Sequence, residues 1–361
     1  MKRRVLHFVT GGFSGATQVA LTLARASRDS GDTEALLVLR RKRQTDATRV
    51  DALRAEGLDV RVVPGWSHLA TIVSLARLCR EWKPQVLVAH GFSEHLWGRY
   101  AGLIAGVPAL VQVEHNSRER YGRWRLAQSR WLAKRTARIV GVSEGVREAL
   151  LARGFSAQQV VAIPNGIALQ PFDGAEAHPW RERVPGIVMA ARFSRQKDHV
   201  TLLHALAQLK ARGLQPPLLL AGGGSARHRA DVESLVQRLG LTGQVHFLGH
   251  TPALPQLLMQ HQVCALSTHY EGMPLALVEG MAAGCAVIGS AVPGVQELIA
   301  DGINGRLATQ GDASAWADAL QALLTQPERS EQLAAAARAE AVQRYSLQRM
   351  TADYQALFAS L

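Results

Sequence analysis

The chain has 361 residues, of which 47% are hydrophobic and 19% charged, the proportions of an ordinary folded protein with room for two domains and their cores. No apolar run approaches the roughly 18 residues of a membrane span, which argues against a membrane-crossing helix. The formal charge of +12 asks for an anionic partner, whether nucleic acid, an acidic membrane surface or an anionic substrate.

Zinc-ligand spacing, RNA-binding signatures and helix-turn-helix patterns are lacking, so no nucleic-acid partner is expected. Cys79, Cys264 and Cys285 are scattered and odd in number, and are expected to be buried thiols in a reducing compartment. The apolar run 5–9 is short and interrupted by His7, unlike a signal-peptide core, so a cytoplasmic protein is expected.

In the first half, strand-like runs at 5–10, 34–39, 58–63, 85–89, 109–113 and 138–142 alternate with helical patterns. That alternation predicts a parallel sheet with helices on both faces. The first run leads into Gly11-Gly12-Phe13-Ser14-Gly15 and then a helix, the opening of a Rossmann-like unit. Its Gly-Gly-x-x-Gly spacing departs from the dinucleotide pattern, although Arg40-Arg41 after the second strand could meet a 2′-phosphate in an NADP-dependent oxidoreductase. His90 and His115 each follow a strand, where doubly wound sheets bind ligands. A histidine there can equally be a structural hydrogen-bonder.

Pro164-Asn165-Gly166-Ile167 opens a stretch of weak periodicity, read as a linker over 166–185. Strands are then expected at 187–191, 218–221, 245–248, 263–266 and 286–288, and helices throughout 313–361. Arg192 and Lys197 lie between the first of these strands and a helix, where solvated surface cations are the ordinary alternative. Gly222-Gly223-Gly224 permits a tight turn or close backbone approach to a ligand. After residues 263–266 comes the loop 267–272 and a helix over 274–283, with Pro274 in its first turn and Gly284 past its end. Glu271 sits at the helix's open N-terminus, a natural anion site, and Glu279 lies within it. Those two glutamates alone also suit a solvated loop residue and a satisfied helix residue.

With its flanks, Glu271-Gly-Met-Pro-Leu-Ala-Leu-Val-Glu279-Gly-Met-Ala-Ala-Gly, then Val-Pro-Gly-Val-Gln-Glu-Leu-Ile and Asp-Gly-Ile-Asn-Gly, the stretch resembles the donor-binding signature of family 4 glycosyltransferases. The resemblance implies a retaining enzyme of the GT-B architecture: two Rossmann-like α/β domains facing a central cleft. The expected division is an acceptor-side domain at 1–165, the linker, a nucleotide-sugar donor domain at 186–345, and a terminal helix at 346–361 crossing back to the first domain. It implies that Arg192 and Lys197 hold the donor diphosphate, Glu279 the ribose and Glu271 the donor sugar. Gly12, Gly222, Gly272, Met273, Pro274 and Leu275 complete the expected donor site. His115 would lie near the donor sugar and His90 on the acceptor side. Catalysis would rest on Glu271, His115, Arg192 and Lys197. Asn116 and Ala168 depart from the acidic residues usual at those places.

An ionised carboxylate only accepts hydrogen bonds, which suits both glutamates to hydroxyl-rich partners. The chain contains no Asp-x-Asp, so neither a metal nor another cofactor is expected, and the two cations with helix N–H groups would carry the leaving charge. The donor would be a UDP- or GDP-linked sugar and the acceptor a surface glycan or its lipid-linked carrier. The alternatives are the NADP-dependent oxidoreductase, a non-catalytic carbohydrate-binding homologue, or phosphorolysis or trehalose-type synthesis on the same fold.

Residues 116–138 hold seven arginines and Lys134 against Glu119 alone. As a helix, the stretch would place Tyr121, Trp124, Trp131 and Leu132 in one sector of roughly 100° flanked by cations. Such a helix suits the headgroups of an anionic bilayer, placing the protein at the inner membrane face. The alternative is a stripe packed onto its own domain.

Overall fold

Parallel strands buried on both faces read as continuous apolar runs, and this chain builds two sheets from them. The computed structural model describes residues 2–31, 33–43, 45–117 and 121–361. The first sheet comprises β1 (Arg3–Thr10), β2 (Thr33–Arg40), β3 (Asp59–Val63), β4 (Val86–His90), β5 (Ala109–Glu114), β6 (Arg138–Gly141) and β7 (Val160–Ala162). The second comprises β8 (Val184–Ala190), β9 (Leu218–Ala221), β10 (Val245–Gly249), β11 (His261–Leu266), β12 (Ala286–Ser290) and β13 (Arg306–Ala308). Their orders are β3-β2-β1-β4-β5-β6-β7 and β10-β9-β8-β11-β12-β13, every pairing parallel. Both are doubly wound: strand order reverses between β1 and β4, and again between β8 and β11. In each sheet taken by itself, the loops that follow the two strands at the reversal are where doubly wound folds bind ligands.

One unit comprises Met1–Asn165 with Met350–Leu361, the other Gly166–Arg349. In the first unit the two-residue period sorts side chains onto opposite sheet faces. Leu36 and Val38 join Leu6, Phe8 and Leu75 on one face, while Leu37 and Leu39 join Val9, Leu21 and Leu53 on the other. Each such side chain contributes about 1.5–3 kcal/mol on full burial. The terminal helix Leu347–Ala359 sends Phe358 edge-on against His7, ring centroids 6.3 Å apart.

Two features differ from expectation. Residues 166–185 are not a loose linker: they carry three short 3₁₀ turns of the second unit and then enter β8 at Val184, with Phe172, Ala175 and Trp180 buried. Trp180 Nε1 donates to the Gln262 carbonyl of β11 at 2.9 Å. The edge strands β7 and β13 were not expected, because three residues are too few to show a period. Cys79, Cys264 and Cys285 are buried free thiols. Among the described residues no helix is long and apolar enough to cross a membrane.

Candidate functional site

In the second unit two loops are stitched together at the strand-order reversal. Residues 191–198 follow β8 and residues 267–274 follow β11. The Asp198 amide donates to the Ser267 carbonyl at 3.0 Å, the His269 amide to the Gln196 carbonyl at 2.9 Å, and Gln196 Nε2 to the Tyr270 carbonyl at 2.8 Å. Asp198 also caps the helix His199–Ala211, its carboxylate accepting from the Thr201 amide at 3.1 Å. This stitching brings Lys197 Nζ onto the Glu271 carboxylate as an ion pair, with side chains only 13% and 9% exposed. Thr268 Oγ1 donates to the same Glu271 oxygen at 2.9 Å. Arg192 stands exposed at the start of the first loop.

Glycines set the backbone around that pair. Gly222 has φ +142°, and a Cβ there would lie 2.2 Å from the Ala191 carbonyl oxygen, so only glycine lets the β9 end approach the Arg192 loop. Gly294 packs on the other side, where a Cβ would lie 2.5 Å from the Gly272 carbonyl oxygen and 2.7 Å from that of Glu271. The Asp-Gly-Ile-Asn-Gly segment is structural: buried Asn304 accepts from the Ala300 amide at 2.8 Å and donates to the Leu298 carbonyl at 2.9 Å.

The helix runs Leu275–Ala282 with Pro274 as its N-cap, one residue later than expected, and Gly284 follows at φ +73°. Gly272, Met273 and Pro274 are buried beneath its open end, with Leu275 partly exposed. Glu279 projects from this helix, and burial pushes its carboxyl up to about 7. The unfolded chain releases that proton near 4.5, so the stability this group contributes is present below about 4.5 and lost as pH rises through about 7. Glu279→Gln is expected to flatten this slope and to melt at a higher temperature than the parent near pH 8, as melts across pH 4 to 8 would check.

In the first unit the Gly-rich turn leaves Gly12 exposed, puts Phe13 at φ +48° and starts the helix Gly15–Ser30 with a Ser14–Thr17 capping box. His90 ends β4 and is fully enclosed rather than lining a surface: its Nε2 bonds His7 Nδ1 at 3.1 Å, and its ring lies 5.7 Å from that of His115. Burial holds the His115 imidazole near 4, hence neutral, and its Nε2 lacks a partner among the described residues. Of the Arg40-Arg41 pair considered for a 2′-phosphate, Arg40 is buried against Glu94 at 3.3 Å and unavailable, and Arg41 is exposed.

A buried polar network beside His115 escaped the sequence reading. Tyr121 Oη donates to Glu114 at 2.8 Å and lies 3.2 Å from His95 Nε2, and His95 Nδ1 accepts from Arg99 at 2.8 Å. Desolvation lowers the Arg99 guanidinium to about 10. Tyr121 therefore leaves the expected stripe, since the helix starts only at Arg123. Leu132 is buried, whereas Trp124 and Trp131 stay 75% and 46% exposed. Arg118, Glu119 and Arg120 of that stretch lie outside the described residues.

Both halves of the chain are similar to known proteins. Residues 13–170 match the family described as Glycosyltransferase Family 4, and residues 174–340 that described as Glycosyl transferases group 1. The chain is 29% identical over 232 residues to a D-inositol 3-phosphate glycosyltransferase of Xylanimonas cellulosilytica, covering 59% of this chain and 54% of the relative. It is 24% identical over 268 residues to the UDP-Gal:alpha-D-GlcNAc-diphosphoundecaprenol alpha-1,3-galactosyltransferase of Escherichia coli, covering 70% and 69%. The alignments thus reach only part of these relatives' length, little more than half for the first. Among solved structures, Anabaena Alr3699/HepE in complex with UDP and glucose superposes with a TM-score of 0.86 at 22% identity, over 99% of this chain and 100% of that one. Sucrose-phosphate synthase of Thermosynechococcus elongatus superposes at 0.82 and 21% identity, over 100% of both chains. At such identities the likeness is one of fold.

Proposed function

Because the chain belongs to the family 4 glycosyltransferases, with the GT-B fold, we propose that it moves a sugar from a nucleotide diphosphate to a glycan or lipid-linked acceptor with retention of configuration and without a metal. The observation that carries this reading is the Lys197–Glu271 pair, built where strand order reverses in the second sheet and beside a helix N-terminus. A sugar nucleotide needs cations at its diphosphate and acceptors at its hydroxyls, and these two residues supply one of each. Lys197 carries three N–H donors, so it can stay on Glu271 while donating to a phosphate oxygen. Arg192 adds a second cation, and the first-turn amides at 275 and 276 add oriented N–H groups, the Leu277 amide being spent on the Pro274 carbonyl at 3.0 Å.

Charge that develops on the leaving diphosphate is stabilised by these fixed groups. Glu279 accepts from ribose hydroxyls and Glu271 from sugar hydroxyls. Neutral His115, with Nε2 unpartnered, bonds a hydroxyl on the acceptor side, and enclosed His90 holds its place behind. We favour a front-face route in which the leaving phosphate helps deprotonate the acceptor. The test is a thermal-shift panel of UDP-, GDP- and ADP-sugars beside NADPH. A ligand at 100-fold excess over Kd stabilises by about 2.7 kcal/mol. A sugar nucleotide should raise Tm more than NADPH does; stabilisation by NADPH alone, or turnover abolished by EDTA and restored by magnesium, would refute the reading.

A membrane partner is part of the same proposal. Trp124 and Trp131 stand in solvent on a helix carrying Arg123, Arg125 and Arg130. Trp131 continues a row of rings through Tyr100 to Trp97, at centroid spacings of 6.1 and 6.4 Å. Trp66 and Leu69 are also exposed in this unit. Interfacial aromatics beside cations suit an anionic bilayer, each cation contributing about 1 kcal/mol, less in salt. Vesicles with anionic lipid should therefore sediment the protein and neutral ones should not. Trp124→Ala with Arg123→Glu and Lys134→Glu should lose that binding; equal sedimentation with both lipids would remove the membrane from the proposal.

A further inference from the structure

The run Arg41-Lys42-Arg43, which the donor chemistry leaves unused, lines an open groove of about 730 Å³ at the edge of the first sheet. Arg54, Arg61 and Asp51 complete its charged wall, five cations against one carboxylate. Arg54 spends part of its charge on Asp51 at 2.9 Å, and Arg61 on Asp59 at 3.1 Å. Lys42 shares Glu94 with buried Arg40, at 3.0 and 3.3 Å, so one carboxylate faces two cations and the set stays net positive. Among the described residues no ion pair is formed by Arg41 or Arg43.

This basic loop is held in place. The Arg41 amide donates to the Val63 carbonyl at 3.0 Å, the Lys42 amide to Thr45 Oγ1 at 2.7 Å, and the Thr45 amide back to the Lys42 carbonyl at 3.0 Å. Gly65 presses on it so closely that a Cβ would sit 1.7 Å from the Arg41 carbonyl oxygen. Gly11 does the same from the other side, 2.7 Å from the Arg40 carbonyl oxygen. Two exposed guanidinium groups without carboxylate partners among the described residues stand on a fixed backbone, so only their side chains remain to be ordered by a ligand. Planar forked donors match the oxygens of phosphate and carboxylate, and a cleft lined by one sign of charge concentrates such anions. The volume is that of a small-molecule site.

We propose that this groove is an oxyanion-binding site that takes a phosphate or carboxylate group borne by the acceptor. The assignment of the carrier rests on the glycosyl-transfer reading; the anion site itself does not. Isothermal titration at low salt with inorganic pyrophosphate, on the whole chain, tests it. The Arg192→Ala/Lys197→Ala variant should still bind pyrophosphate through the groove. Adding Arg41→Ala and Arg43→Ala should weaken that binding at least about tenfold. An exposed control pair, Arg227→Ala with Arg238→Ala, should leave it unchanged.

Pyrophosphate binding indifferent to Arg41 and Arg43, or weakened as much by the control pair, would overturn the proposal. UDP titrated into the same variants separates the two readings: Arg41→Ala/Arg43→Ala should keep UDP affinity, and Arg192→Ala/Lys197→Ala should lose it. Comparing pyrophosphate with trigalacturonate, and with neutral maltotriose as control, identifies the chemistry. The tighter of the two anions names a phosphorylated or a uronic-acid carrier, and equal binding of maltotriose would also overturn the site.

Discussion

Lys197→Met is expected to lower kcat by about one to two decades and to destabilise the protein as well. The rate loss follows from one charge-assisted hydrogen bond, about 1.5–3 kcal/mol, withdrawn where the leaving group gains charge. The stability loss has a separate origin. Glu271 would remain largely covered, with Thr268 Oγ1 still donating but the Lys197 ammonium gone. Removing one partner of a buried pair typically costs about 3–5 kcal/mol, and the residual exposure of both side chains here puts the expectation at or below the lower end. The double variant Lys197→Met/Glu271→Gln should regain most of the melting temperature and none of the turnover. Calorimetry and steady-state kinetics on the single and double variants read the two effects apart. Unchanged kcat in Lys197→Met would discard the diphosphate role, and full additivity in stability would mean the pair is not coupled.

Gly294→Ala should be at least as damaging to turnover although residue 294 itself bears no reactive group. The added carbon meets two backbone carbonyl oxygens, of Glu271 and Gly272, both well inside contact distance. Backbone cannot rotate away as a side-chain end could, so the loop must shift by a large fraction of an ångström. Misplacing a reacting group by about 1 Å costs on the order of 100-fold in rate, whereas overpacking costs about 1–3 kcal/mol of stability. The expected signature is a kcat loss near two decades with a folded protein. Gly243→Ala, where a new Cβ meets nothing within 4 Å, is the silent control. Normal kinetics in Gly294→Ala would mean that the loop carrying Glu271 is not held to a fixed geometry.

Much of this was legible in residue order because the relevant signals are local. Strands such as β4, β11 and β12 are buried along their whole length and so appear as apolar runs. The candidate donor residues lie in short segments directly after strands, where spacing and residue type can be read together. What stayed hidden is what depends on distant pairing. Lys197 and Glu271 are 74 residues apart, and nothing in either segment announces that their loops are stitched into an ion pair. Whether His90 is an acceptor-side residue or a structural hydrogen-bonder stays open in the sequence, because its neighbour His7 reaches it only through the β1–β4 pairing. Tyr121 fitted a helical stripe by periodicity, but a buried carboxylate at Glu114 claimed its hydroxyl before the helix began. Arg40 looked like a free cation for the same reason, its partner Glu94 lying 54 residues away.

The chain leaves the first unit at Asn165 and re-enters it at Met350, so the second unit is an uninterrupted insert within the first. That order has a consequence for how the protein is made. A ribosome working from the N-terminus completes all of Gly166–Arg349 before it has supplied the last piece of the unit begun first. Until residues 350–361 emerge, His7 lacks Phe358, and the places filled by Tyr354 and Leu357 stand open to water. The late-numbered unit should thus mature early and the early-numbered one last. A chain ended at residue 349 should show it on limited proteolysis, with the insert resistant and the first unit cut.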